Sequence, residues 1–200
     1  MLADSTNAER PGYTMSERVV GESFARLFAK AEGRIIVATF ASNIHRIQQI
    51  IQASEKLGRK VAVSGRSMEN IVQVAMELGY LEMQEDTLIS IDQISQYPNE
   101  QVVLITTGSQ GEPMSALARM AASEHRKINI VEGDTVILSA SPIPGNEKLV
   151  SKVINQLFKK GANVIYESLE KVHVSGHACQ EELKLMHALV RPKFFIPVHG

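Results

Sequence analysis

Arg34-Ile-Ile-Val-Ala-Thr-Phe40 is the stretch on which the fold turns. It is apolar without alternation, the pattern of a strand buried on both faces, and such strands belong to parallel sheets covered by helices on each side. A polar turn follows, where Ser42 or Asn43 can cap a helix that carries Ile44, Ile47, Ile50, Ile51 and Leu57 along one side and stops at Gly58. The unit then recurs downstream. Lys60-Val-Ala-Val-Ser-Gly65, Val102-Val-Leu-Ile-Thr-Thr107, Thr135-Val-Ile-Leu-Ser139 and Asn163-Val-Ile-Tyr166 read as strands. Helical stripes begin at Ser67, run over Met114–Ala122 and Asn146–Lys160, and cover Gln180 to Val190. Upstream, Ser16 starts a helix through Val20, Phe24, Leu27, Phe28 and Ala31. Tyr80 to Glu100 is less regular, with a short helix near Ile91–Ile94 and a turn at Tyr97-Pro98-Asn99.

Strand–helix alternation of this kind predicts an α/β fold. The expected architecture is a doubly wound, mostly parallel sheet with helices on both faces, Rossmann- or flavodoxin-like, spanning residues 1–200 as one domain. With 44% apolar and 22% charged residues the chain can bury a sizeable core. Its formal net charge of −1 excludes an overall basic field, so any nucleic-acid site must be a local groove. The single Cys179 excludes an internal disulfide and fits a reducing cytoplasm. No apolar run reaches the ~18–20 residues that span a bilayer, so no membrane partner is expected. Met1-Leu2-Ala3 reads as the end of a strand and Pro197-Val-His-Gly200 stops where a loop should begin, which suggests a piece of a longer protein.

Two runs end on histidine beside glycine: Lys171-Val-His-Val-Ser-Gly-His-Ala178 and Lys193-Phe-Phe-Ile-Pro-Val-His-Gly200. Both read as β-like, and the helix between them can bring His177 and His199 to one sheet edge, where α/β proteins place their ligands. General acid–base work suits His177, because imidazole titrates near ~6.5. Asp4, which also ends a strand, is its candidate carboxylate partner. His177 and His199 are two possible metal ligands, but no His-x-His, His-Glu-x-x-His or cysteine pair completes a site, and His45, His125, His173 and His187 are scattered. His125 and His187 read as solvated or satisfied in packing. There is no Gly-x-Ser-x-Gly, no Walker lysine and no dinucleotide fingerprint. The loops Phe40–Asn43, Ser64–Ser67, Thr106–Gly111, Ser139–Pro142 and Ser175–His177 share glycine, serine and helix starts, groups that suit phosphate. Arg46, Arg66 and Lys148 add local positive charge.

Taken together, Asp4-Ser-Thr, Ala38-Thr-Phe-Ala-Ser-Asn-Ile-His-Arg46, Thr107-Gly-Ser-Gln-Gly-Glu-Pro113, Ser141-Pro-Ile-Pro-Gly145, Ser175-Gly-His-Ala178 and Pro197-Val-His-Gly200 resemble ribonuclease J, of the β-CASP group of metallo-β-lactamase-fold nucleases. The resemblance covers essentially the whole chain. It implies a zinc-dependent ribonuclease with 5′-to-3′ exonuclease and endonuclease action in rRNA processing and mRNA decay. It implies that Asp4 orients His177, that His177 gives a proton to the leaving oxygen, and that His199 holds one of two zinc ions. RNA or its 5′-monophosphate would be held by Ser175, Gly176 and Ala178 and by Ser139 and Ser141. Phe40, as a stacking platform, would join Ser42, His45 and Arg46, with Gly108, Ser109 and Gln110 on the next loop. The implied partners are single-stranded RNA, a second copy of the chain and other RNA-decay proteins in the full-length enzyme.

The family's His-x-His-x-Asp-His metal motif is missing, which makes residues 1–4 and 191–200 the expected junctions to a metallo-β-lactamase part. Without those ligands nothing activates water, so no ribonuclease activity is expected of these 200 residues alone. Two other readings stand beside this one. The chain can be a stand-alone module binding a phosphorylated nucleotide or RNA end, or a small-molecule enzyme of flavodoxin-like architecture using His177 and Asp4.

Overall fold

The computed structural model describes residues 1–199. They form two compact units, one of residues 20–173 and one of residues 1–19 together with 174 onward.

The larger unit contains five parallel strands: β2 (Ile35–Ala38), β3 (Lys60–Ser64), β4 (Val102–Thr106), β5 (Thr135–Leu138) and β6 (Asn163–Ile165). Their order across the sheet is β3-β4-β2-β5-β6. Parallel pairing demands a crossover between successive strands. The crossovers carry α2 (Ile44–Glu55), α3 (Arg66–Glu77), α4 (Ala116–Ala121) and α5 (Glu147–Lys159), and α1 (Arg18–Lys30) leads into the unit. Every residue of β2, β4 and β5 is buried, as their unbroken apolar runs require. Side chains alternate between the sheet's two faces. Ile36, Ala38, Leu104, Val136 and Leu138 join Leu117 and Met120 of α4 and Val150, Val153 and Leu157 of α5 in one apolar cluster. The intervening Ile35, Val37, Val103, Ile105 and Ile137 are equally buried, as are Phe24, Phe28, Ile47, Ile50 and Met68 of α1–α3, and α2 and α3 pack on β3. The doubly wound α/β expectation therefore holds.

Local starts and stops follow side-chain chemistry. Asn43, rather than Ser42, caps α2 by accepting a hydrogen bond from the Arg46 N–H. Ser115 caps α4, so that helix starts two residues later than the stripe suggested. The irregular middle contains a 3-10 helix, Ile91–Gln96, closed by a capping box between Ser90 and Gln93.

The smaller unit pairs β1 (Leu2–Asp4) with β7 (Ile196–Val198) in parallel, in the register Leu2↔Ile196, Ala3↔Pro197, Asp4↔Val198. Helix α6 (Gln180–Val190) lies between them in sequence, with the boundaries its pattern predicts. It is capped at Cys179, whose N–H donates to Glu182 at 2.8 Å, and the same carboxylate accepts from the Thr14 N–H and hydroxyl at 2.9 and 2.7 Å. Those three donors, the Cys179 amide foremost, hold the Glu182 carboxyl below the usual carboxylate range.

One expectation fails. The β-like run over Lys171–Val174 is not a strand. Val172 is buried, and its carbonyl accepts from the Ser139 hydroxyl at 2.6 Å, so this backbone is satisfied by a side chain rather than a ladder.

Candidate functional site

In the smaller unit, β1 ends on Asp4, and its pairing with β7 sets Asp4 opposite Val198, one residue before His199. The Asp4 carboxylate has two partners. Its Oδ1 accepts from the Thr6 N–H at 3.0 Å, and its Oδ2 lies 2.9 Å from His177 Nδ1. The pairing expected between these residues is thus present. The two side chains remain 46% and 48% exposed, which leaves the pair accessible to a ligand.

Thr6, chiefly through its backbone N–H, with His177 adding to the effect, lowers the Asp4 pKa below the ordinary carboxylate value. Asp4 is therefore an anion at neutral pH and can only accept. His177 must then carry a proton on Nδ1, which leaves Nε2 as the atom free to exchange a proton.

The loop around His177 is held by residues that sequence reasoning missed. Asn7, 5% exposed, donates to the Ser175 hydroxyl at 3.0 Å and to the His177 carbonyl at 3.2 Å. Thr14 donates to the same carbonyl at 2.9 Å, and Ser175 accepts from the His177 N–H at 3.2 Å. The polar run after Asp4 was the only signal, because nothing local pairs residue 7 with residue 177. Gly176 is exposed, while Ser175 and Ala178 are half-buried.

His199 is exposed and adopts a left-handed backbone, φ 63°. Gly200, which completes the Pro-Val-His-Gly stretch, lies outside the described residues. Among the described residues no three His, Cys, Asp or Glu side chains are grouped to hold a metal ion. Among the described residues the candidate donors, His199 included, stand as single ligands rather than as a cluster.

The larger unit places the other candidates at the C-terminal ends of its strands. From β2 the chain crosses to one side of the sheet and from β5 to the other, so these neighbours form the topological switch point where doubly wound folds bind ligands. Phe40 there is half-buried, and Ser42 and His45 are exposed. Arg46 is different, being 1% exposed. Its Nη1 donates to the Ser139 carbonyl and lies beside His173 Nδ1, both at 2.9 Å. Ser139 is fully buried, and its hydroxyl is spent on Val172.

Gln110, 2% exposed, ties the loop after β4 to the loop after β5. It donates to the Ser141 carbonyl at 2.8 Å and accepts from the Ile143 N–H at 2.7 Å. Ser109 is buried too, and the Ser141 hydroxyl donates to Glu167. Gly108 has φ 106°, and a Cβ there would come 2.4 Å from the Ser115 hydroxyl. Arg46, Ser139, Ser109 and Gln110 therefore shape the loops from beneath, and the accessible surface belongs to Phe40, Ser42, His45 and Ser141.

His125 is satisfied in packing, one of the two fates its sequence context suggested. Its Nδ1 accepts from the Ile128 N–H at 3.1 Å, so Nε2 carries the proton and points at Ser64 Oγ, 3.2 Å away. This tautomer makes His125 a donor to Ser64, not a base for it. Burial first, then Arg119 and Lys127, lower its pKa below the ordinary 6.5. A histidine depressed in the folded state binds its proton more readily when unfolded. Its contribution to stability is thus complete above about pH 6.5 and lost as pH falls through the lowered value. We expect the melting temperature to fall between pH 7 and 5 more steeply in the wild type than in His125→Gln; parallel curves would show that His125 is not coupled to folding.

Comparison with known proteins bears on the family of the chain. Residues 32–157 match the family model of the ribonuclease J β-CASP domain, and residues 161–200 match that of the Zn-dependent metallo-hydrolase RNA specificity domain. All 200 residues align at 54% identity with 35% of a ribonuclease J of Thermus thermophilus. They align at 52% with 29% of a ribonuclease J of Helicobacter pylori and at 49% with 36% of ribonuclease J2 of Bacillus subtilis. The chain thus spans about a third of the length of these relatives. With more than half of its residues matching that β-CASP model, on the parallel α/β sheet the model implies, this chain belongs to the ribonuclease J family.

Proposed function

We propose that this chain is the RNA-binding and proton-transferring part of a zinc-dependent ribonuclease, and that it does not cleave RNA by itself. The observation that carries the reading is the Asp4–His177 pair, with its 2.9 Å contact and its free Nε2. In the proposed reaction His177 Nε2 gives its proton to the ribose oxygen that leaves the phosphate, and Asp4 holds the ring on Nδ1 and stabilises the imidazolium formed when the proton is taken up. The zinc named in the family description would be held by His199 together with ligands from the part of the longer relatives that this chain does not cover. Residues 1–4 and 191–200 are the proposed junctions to that part. Phe40 is the proposed stacking platform for a base, and Ser175, Gly176 and Ala178 of the smaller unit are the proposed holders of the 5′-monophosphate. The reading includes a cytoplasmic, homo-oligomeric enzyme acting on single-stranded RNA in RNA turnover and processing. No helix among the described residues is long and apolar enough to cross a membrane.

The purified chain should bind 5′-phosphorylated single-stranded RNA weakly, and 5′-hydroxyl RNA more weakly still, with affinity falling steeply as salt rises. Fluorescence anisotropy measures both. Zinc- or manganese-dependent cleavage by this chain, lost in His177→Ala, would show that its residues suffice for catalysis and overturn the division of labour proposed here. Equal, tight binding of both RNAs at high salt would argue against the 5′-monophosphate pocket.

A further inference from the structure

The larger unit contains a polar cavity that the Asp4–His177 chemistry does not use. It lies at the C-terminal ends of β3 and β4, has a volume of about 620 Å³, and is built wholly from residues 64–127. Four cationic side chains line it, Arg66, Arg119, Arg126 and Lys127, against one carboxylate, Glu69. In a chain of net charge −1 that is a concentrated positive field. Lys127 is paired with Asp92 at 2.7 Å. Arg66 and Arg126 have no carboxylate partner among the described residues, and Arg119 has only a 3.5 Å contact to the Glu124 carbonyl. Three guanidinium groups drawn to one cavity repel each other unless an anion joins them.

The rest of the lining says which anion. It includes no Phe, Tyr or Trp, so a base has no ring to stack on. Its one imidazole, His125, is turned toward Ser64 and backbone N–H groups. The chemistry on offer is guanidinium forks and hydroxyls, which match phosphate oxygens and ignore base identity. Gly65, at the turn into α3, supplies no side-chain cap, so the first-turn N–H groups of that 12-residue helix add to the same field.

We propose that this cavity is a phosphate-binding subsite for the RNA backbone, one that grips the strand without reading its sequence. The proposal rests on the reading of the chain as an RNA-binding part of a ribonuclease, and it places a second grip within the larger unit's own residues. Arg66 and Arg119 are its principal contacts.

The test uses the 200-residue chain and a 5′-hydroxyl single-stranded RNA, which removes any contribution from a 5′-monophosphate pocket. Arg66→Gln/Arg119→Gln should weaken binding about tenfold whatever the RNA sequence. It should also reduce the slope of log affinity against log salt by about 1.4, at about 0.7 per phosphate contact on a single strand. Lys152→Gln/Lys159→Gln, the same charge change on α5, should move neither. Inorganic phosphate, titrated in parallel, should shift the Arg66 and Ser67 amide resonances saturably in the wild type and not in the double arginine variant.

Unchanged RNA affinity and slope in the arginine variant, with no phosphate-induced shift, would overturn the subsite and leave the RNA-binding reading standing. Saturable phosphate shifts with unchanged RNA affinity would overturn the RNA assignment in favour of a small phosphorylated ligand. Absence of RNA binding by the wild type would sink the functional reading itself, and the phosphate titration would then decide the cavity alone.

Discussion

Asp134→Ala is expected to destabilise the larger unit by about 3–5 kcal/mol, the cost of stranding a buried charge. Asp134 and Arg34 are 1% and 7% exposed at the side chain. They meet through two contacts, Arg34 Nε to Oδ1 at 3.2 Å and Nη2 to Oδ2 at 2.6 Å. Arg34 Nη2 also donates to the Asn129 carbonyl at 2.7 Å, and Asp134 Oδ2 accepts from the Val131 N–H at 3.0 Å. The pair sits at the N-terminal edges of β2 and β5, where the Thr135 N–H donates to the Arg34 carbonyl at 2.8 Å.

Alanine at 134 leaves a guanidinium in a dry site and removes the acceptor of the Val131 N–H. Domains are stable by about 5–15 kcal/mol in total, so this single change puts the fold at risk. The double replacement Arg34→Met/Asp134→Leu removes both charges together and should recover most of the loss, since well-packed apolar pairs often match buried ion pairs. Urea denaturation of the three proteins measures it. A loss below about 1 kcal/mol in Asp134→Ala would mean that water reaches Arg34, because only exposed pairs are worth that little.

On the role proposed for His177, His177→Ala in a chain of the relatives' full length is expected to lower RNA cleavage by about 10²–10⁴-fold while leaving RNA affinity nearly unchanged, the range for loss of one general acid. The geometry separates this from a structural defect. His177 is exposed, its side chain bonds only Asp4 among the described residues, and the loop around it is held by Asn7 and Thr14 through backbone and Ser175.

Asp4→Asn should also lower cleavage, by a different route. An amide nitrogen facing Nδ1 would turn the imidazole to the other tautomer, with the proton on Nε2 and no anion to stabilise the charged ring. Its Oδ1 can still accept from Thr6, so β1 and its turn should survive. Single-turnover rates on 5′-phosphorylated RNA, with binding measured separately, distinguish the outcomes. Cleavage within threefold of wild type in His177→Ala would remove His177 from the chemistry. Because Thr6 and His177 keep the Asp4 carboxyl low, it stays ionised at and above its ordinary pKa of 3.8, and its support of the pair is lost only as pH falls below that.

Much of the architecture was legible in one dimension. Ile35–Ala38, Val102–Thr106 and Thr135–Leu138 announce buried parallel strands because a strand covered on both faces has no polar side to show. Helices α5 and α6 could be bounded within a residue by stripes and their stops. The candidacy of Asp4 and His177 was also visible, since each lies at the end of a β-like run.

Their pairing could be proposed from the sequence, but its geometry and the props beneath it could not be read there. Asn7 reaching Ser175, Gln110 bridging two loops and Arg34 pairing with Asp134 all join residues far apart in the chain. Arg46 and Ser139 carry the same polar groups at a surface as in an interior, so only their burial shows them to be braces. Val172 has a strand former's side chain, yet Ser139 claims its carbonyl. The order β3-β4-β2-β5-β6, and the gathering of residues 1–19 with those from 174 onward, likewise belong to the tertiary structure. The physical reason is one of range. Periodicity, capping and turn chemistry act over a few residues and are written locally, whereas strand neighbours, buried ion pairs and a two-residue acid–base pair are set by packing between segments that the chain brings together only when it folds.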